Sequence, residues 1–141
     1  MASAPTDVAD MLASLSLFAD LNPSELESVA HLVEERRFAA GERVLRQGLS
    51  GSGFYVILAG DATIRVDGTD ISTLGRGDFF GEVSALLNVS PIADIVARHE
   101  LRTAVIPWPA FEPFLIGHPR VMYRMLQAEA RKLRAATRQH S

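Results

Sequence analysis

Glycine is distributed along this chain in a way that leaves few folds open. Nine of the ten glycines lie between Gly41 and Gly81. Among and after them stand short β-rich runs: "RVLRQ", "FYVILA", "DATIRV", "DISTL", "IADIVA" and "RTAVIP". Glycine turns a chain through positive φ without steric cost. The zone from about Arg36 to Pro107 therefore reads as brief strands joined by tight turns, which predicts an antiparallel sandwich or barrel. "ATIRV" alternates, with Ile64 and Val66 on one side and Thr63 and Arg65 on the other. "VDGTD" around Gly68 is expected to be a hairpin turn. One segment breaks the pattern. "GEVSALLN" has no glycine after Gly81 and is expected to form one or two helical turns. Such a turn aims free backbone N–H groups at whatever precedes it.

Helical patterns flank this zone. In "DVADMLASLSLF", Val8, Met11, Leu12 and Leu15 recur at helical spacing after a Thr6-Asp7 start signal. In "LNPSELESVAHLVEE", Asn22 can cap, Pro23 suits the first helical position, and Glu25 completes a capping box. Leu26, Val29, Ala30 and Val33 make its apolar face. After the strands, "PAFEPFLIGHP" predicts a short helix ended by Gly117, and Pro119 opens a longer one. That last helix carries an apolar stripe of Met122, Met125, Leu126, Ala130, Leu133 and Ala136, expected to lie on the barrel. Otherwise the stripe pairs with a copy of itself. The expected organisation is thus a helical segment at 1–35, a β-barrel at 36–107 and helices at 108–141, all one domain.

The totals exclude several classes. With 141 residues the chain holds one domain with a real core. A formal net charge of −3 creates no field toward nucleic acid or anionic lipid. The longest apolar run, Phe54 to Ala59, is far short of a membrane span. There is no cysteine and no signal-peptide pattern, so a cytoplasmic protein is expected. Lys132 is the only lysine among the 14 basic residues. His31, His99, His118 and His140 are scattered, so neither a metal site nor a metal-binding cupin is expected. Ser84 lacks a nearby His and a strand-to-helix elbow, and no enzyme is expected. "GRGDFFG" has the wrong spacing for a dinucleotide fingerprint.

The order of helices, glycine-punctuated strands, "FFGE" turn, strands and two helices resembles the cyclic nucleotide-binding domain, from about Leu15 to Arg138. "AAGERVLRQG" is similar to that family's first strands, "GFYVILAGDATI" to its central hairpin and "GRGDFFGEVSALL" to its phosphate-binding cassette. The fold implied is mainly β: an antiparallel β-barrel or jelly roll with N-terminal and C-terminal helices packed on it. The resemblance implies that Glu82 bonds a ribose hydroxyl. It implies that backbone N–H groups of the helical turn, near Val83 and Ser84, face the ligand, with Phe80 and Gly81 also at the site. Ile92, Ala93 and Asp94 would face the phosphate, and Thr137 of the last helix would meet the base.

The resemblance also exposes a departure. The family's cassette arginine falls here on Ile92, and Gly77 to Ala97 holds no Lys or Arg. Ile92 is expected to fill a closed former pocket as core; otherwise it lines an apolar pocket. An Asp94 aimed inward would repel a phosphate. Arg65, Arg76 and Arg98 are the nearest candidates for a substitute cation.

Two functions follow. The domain senses cAMP or a related nucleotide and relays it through the C-terminal helix. Alternatively it has lost the ligand and serves as a protein-interaction or dimerisation module. cAMP is the expected ligand of the first reading, with no cofactor. A homodimer or partner protein would use the C-terminal helix. Related transcription factors bind DNA through an added helix-turn-helix domain, and nucleic-acid binding within this chain is not expected.

Overall fold

The computed structural model describes residues 5–49 and 53–139. Helix α1 (Pro5–Ala13) leads through a 3-10 turn (Ser16–Phe18) to helix α2 (Pro23–Leu32). Helix α1 is already formed at Pro5, ahead of the Thr6-Asp7 signal. Both halves of the α2 capping box are made: Glu25 N–H donates to Asn22 Oδ1 at 2.8 Å, and Asn22 N–H donates to Glu25 Oε1 at 2.9 Å.

Eight strands follow among the described residues: β1 (Glu34–Phe38), β2 (Arg43–Leu45), β3 (Gly53–Ala59), β4 (Ala62–Val66), β5 (Thr69–Leu74), β6 (Phe79–Phe80), β7 (Asp94–Ala97) and β8 (Leu101–Pro107). Helix α3 (Glu82–Leu87) interrupts them. Helices α4 (Trp108–Gly117) and α5 (Pro119–Gln139) close the chain. The strands form two four-stranded sheets, ordered β1-β8-β3-β6 and β2-β7-β4-β5, with every pairing antiparallel. This is the antiparallel sandwich or barrel expected of the glycine-punctuated zone, in the jelly-roll form that the resemblance implies. The β4–β5 hairpin turns at Asp67 and Gly68, at φ +50° and +79°, as a two-residue turn with two positive φ angles demands.

Strand β1 corrects the expectation that helical sequence runs to about Glu35. Glu34 to Phe38 pairs with β8 instead. The strand is charged because it is an edge, hydrogen-bonded on one side only. Glu35 is held by Arg102, whose Nη2 also donates to Asp7 of α1 at 3.1 Å.

Strand β3 explains its own unbroken apolar run. Its side chains alternate between faces, and both faces are covered. Phe54, Val56 and Leu58 meet Val8 and Leu12 of α1, Val29 of α2, and Phe111 and Phe114 of α4 in one core. Tyr55 and Ile57 meet Leu45, Ala62, Ile95 and Ala97 of the other sheet in a second core.

Helix α5 departs from the expectation that its stripe lies on the barrel. Val121 and Met125 are buried, but Met122, Leu126 and Leu133 are 41%, 64% and 69% exposed, and Ala130 and Ala136 are exposed too. The helix is fastened at its start and then runs past the barrel. Asp20 takes both Nε and Nη2 of Arg124, at 2.8 and 3.0 Å. Among the described residues, no helix is long and apolar enough to cross a membrane.

Candidate functional site

The site is built on the segment that joins β5 to α3. Its first half is pinned to β3. Gly77, at φ +88°, donates its N–H to Ile57 O at 2.9 Å, and Ile57 N–H donates to Asp78 O at 2.9 Å. Asp78 Oδ2 accepts from Gly75 N–H at 2.8 Å and closes the turn. Phe79 and Phe80 then pair with Val56 and Tyr55. Their side chains part to opposite faces. Phe79 enters the helix-side core, and Phe80 stacks on Tyr55 with ring centroids 4.8 Å apart.

Gly81 is the pivot. It caps α3 from the left-handed region at φ +88°, and a Cβ there would run into the carbonyl oxygen of Gly53. Both facts require glycine at this position. Asn88, at φ +55°, ends α3 after six residues. The short helix therefore starts with Glu82 turned inward, only 6% exposed.

Glu82 is unusual for a carboxylate. Its Oε1 lies 3.5 Å from Lys132 Nζ of α5, while its buried Oε2 has no hydrogen-bond partner among the described residues. Burial pushes its carboxyl up from 4.5 to about 7. The neighbouring Glu129 acts in the same direction; Lys132 and the backbone N–H of Glu82 itself oppose it. The Lys132 ammonium also sits 4.5 Å from the Phe79 ring centroid, and 3.3 Å from Glu129 Oε1.

Seven of the nine residues expected at the site come together here. Phe80, Gly81, Glu82, Val83, Ser84, Ile92 and Ala93 border a cavity of about 200 Å³. Leu45, Ile64, Leu74 and Ile95 complete a mainly apolar wall, and Lys132 borders it from α5. The other two lie elsewhere. Asp94 Oδ1 accepts from Gln47 N–H at 2.7 Å, and its Oδ2 stands 3.8 Å from Arg43, so its charge is turned away from the cavity. Thr137 is exposed and donates to Leu133 O at 2.9 Å, along its own helix.

The expectation that Ile92 fills a closed pocket as core is overturned. It is 68% exposed and borders the cavity instead. Pro91 is the buried residue of that turn, and its carbonyl is fixed by Gly48 N–H at 2.9 Å. The three candidate cations do not line the cavity. Arg65 pairs with Asp70 at 2.6 Å and Arg98 with Asp61 at 3.2 Å, while Arg76 donates to Ser14 Oγ. The cation that borders the cavity is Lys132, which the sequence alone did not place there. Its one available signal was being the only lysine of the chain. No cluster of metal-ligating side chains exists among the described residues.

Comparison with known proteins agrees with this geometry. A family model described as "Cyclic nucleotide-binding domain" matches residues 35–118. A cAMP-dependent protein kinase regulatory subunit from Blastocladiella emersonii is 33% identical over 121 residues. The match covers 82% of this chain and 30% of that protein, so the chain spans less than a third of its length. Among solved structures, the catabolite activator protein of Thermus thermophilus superposes with a TM-score of 0.79 at 25% identity, covering 87% of this chain and 60% of that one. The regulatory subunit of a cAMP-independent protein kinase A from Trypanosoma brucei gives 0.80 at 23% identity, covering 89% and 46%. It shares the fold. Since the family model spans more than half of the sequence, this chain belongs to the cyclic nucleotide-binding domain family.

Proposed function

We propose that this domain is a regulatory sensor that binds cAMP or a related ribonucleotide at the Glu82 cavity and relays occupancy through α5. The observation that carries this reading is the buried carboxylate with a partnerless Oε2 beside a cavity. A buried acceptor without a donor costs about 1–3 kcal/mol. A ribose hydroxyl supplies that donor. The turn around it supports the same ligand class, because the first N–H groups of α3 have no acceptor within the helix. Phe80, Gly81, Glu82, Val83, Ser84, Ile92 and Ala93 would make the contacts. The regulatory subunit that resembles this chain is that of a cAMP-dependent protein kinase, which favours cAMP within the class. Relay follows from Lys132: whatever binds Glu82 alters the contact that α5 makes with it, and a partner reads the resulting two-state equilibrium.

The expected affinity is modest. Ile92 offers no charge to a phosphate, and losing one charged hydrogen bond weakens binding by about ten- to a hundredfold. Titration calorimetry with cAMP and cGMP is the test. Saturable binding of cAMP that disappears in Glu82→Ala supports the sensor. Absence of any saturable heat up to on the order of 1 mM ligand sinks it.

A second reading rests on Ile92 and on the exposed Met122, Leu126 and Leu133 of α5. In it the domain no longer takes nucleotide, and α5 docks on a partner protein or on a second copy. Sedimentation of a dimer, together with flat calorimetry, supports that outcome.

A further inference from the structure

Helix α5 outruns its own packing. Its buried anchors, Val121 and Met125, lie in the first two turns, and residues 130–138 are all exposed. Past Ala128, the Lys132 side chain of α5 reaches back to the cassette, with Glu129 of the same helix beside it and also acting on Glu82. Its ammonium lies 3.5 Å from Glu82 Oε1 and 4.5 Å from the centre of the Phe79 ring. Glu82 belongs to α3 and Phe79 to β6, so one lysine spans two elements of the site. The carboxylate end of this contact is 7% exposed, while the lysine is 51% exposed. The lysine can therefore leave for water on its four-carbon stem, whereas Glu82 cannot follow it.

We propose that Lys132 is an internal ligand of the cavity: its ammonium takes the donor position at Glu82 Oε1, beside the partnerless Oε2, fastens the second half of α5 over the cassette, and is exchanged for ligand hydroxyls when these bridge both oxygens on binding. The exchange half rests on the reading of Glu82 as a hydroxyl acceptor; the fastening half does not. Without ligand, α5 is held by Lys132. With ligand, hydroxyl donors occupy Glu82 and the helix end is released or re-seated. The lysine thus competes with the ligand and sets the affinity of the site. Glu129, one helical turn away on α5 and 3.3 Å from Nζ, keeps the ammonium in reach of the cavity when it lets go of Glu82.

Two measurements separate the halves, both on the full chain. The first is amide hydrogen exchange across residues 129–138 of the ligand-free protein. Lys132→Met should raise exchange by about three- to tenfold, the worth of one half-buried ion pair and one cation–π contact. Lys132→Arg should restore it. Wild-type exchange in Lys132→Met overturns the fastening. The second is calorimetry with cAMP. Lys132→Met should bind cAMP more tightly than wild type, by about threefold or more, because a competitor has been removed. Unchanged or weaker binding overturns the exchange. If neither protein binds cAMP, the hydroxyl-acceptor reading fails and takes the exchange with it, and hydrogen exchange still decides the fastening.

Discussion

Replacing Glu82 with glutamine should remove a pH-dependent strain from the fold. In the unfolded chain this carboxyl ionises near its ordinary value of 4.5; in the folded protein burial holds it to about 7. Between those values the folded protein binds the extra proton, so stability falls as pH rises. The contribution is complete below about 4.5 and gone above about 7. At about 1.36 kcal/mol per pH unit, ionising the buried group costs on the order of 3 kcal/mol. Glutamine keeps the shape and cannot ionise. Urea denaturation followed through the single Trp108 at pH 5, 6, 7 and 8 reads the effect. Wild type should lose stability across that range relative to Glu82→Gln, by up to about 3 kcal/mol at pH 8. The difference between the two proteins cancels the titrating groups remote from Glu82 and leaves only Glu82 with its neighbours Glu129 and Lys132. Parallel pH profiles would refute the reasoning. So would a variant less stable than wild type at pH 8, since the ionised Glu82–Lys132 pair would then outweigh its desolvation.

Two further outcomes follow from the cassette. Ile92→Arg places a guanidinium on the cavity rim, and cAMP affinity by calorimetry should rise at least about tenfold; no gain means that the cavity does not seat the phosphate beside residue 92. Gly81→Ala forces a Cβ against the Gly53 carbonyl at φ +88°. It should cost at least about 2 kcal/mol by urea denaturation, and a near-neutral result would show that the turn relaxes freely.

What could be read along the chain was whatever is decided within a few residues. The capping box at Asn22 and Glu25 joins groups three apart. The Asp67-Gly68 turn needs positive φ at two adjacent positions. The Gly81–Glu82 pivot needs a missing Cβ followed by a carboxylate. Glycine spacing and β-rich runs announced the strands because each turn is a local event. Strand β1 was missed for the complementary reason: "EERRF" has no apolar alternation, and its partner β8 begins 63 positions further on, as the pairing of Phe38 with Leu101 shows.

The site divides along the same line. The position of Glu82 on its turn was legible; the company it keeps was not. Lys132 meets it from 50 positions away, Asp94 is turned aside by Gln47, 47 positions back, and Ile92 stays open because Pro91 takes the buried place. The apolar stripe of α5 reads as core by period alone, yet nothing among the described residues covers its second half. Helical period specifies that apolar residues share a face. Whether that face is buried depends on where the helix is anchored, and here the anchors at Val121, Arg124 and Met125 all sit at its start. Pairings across the fold leave no periodic trace in the chain, so only the closed structure sets them.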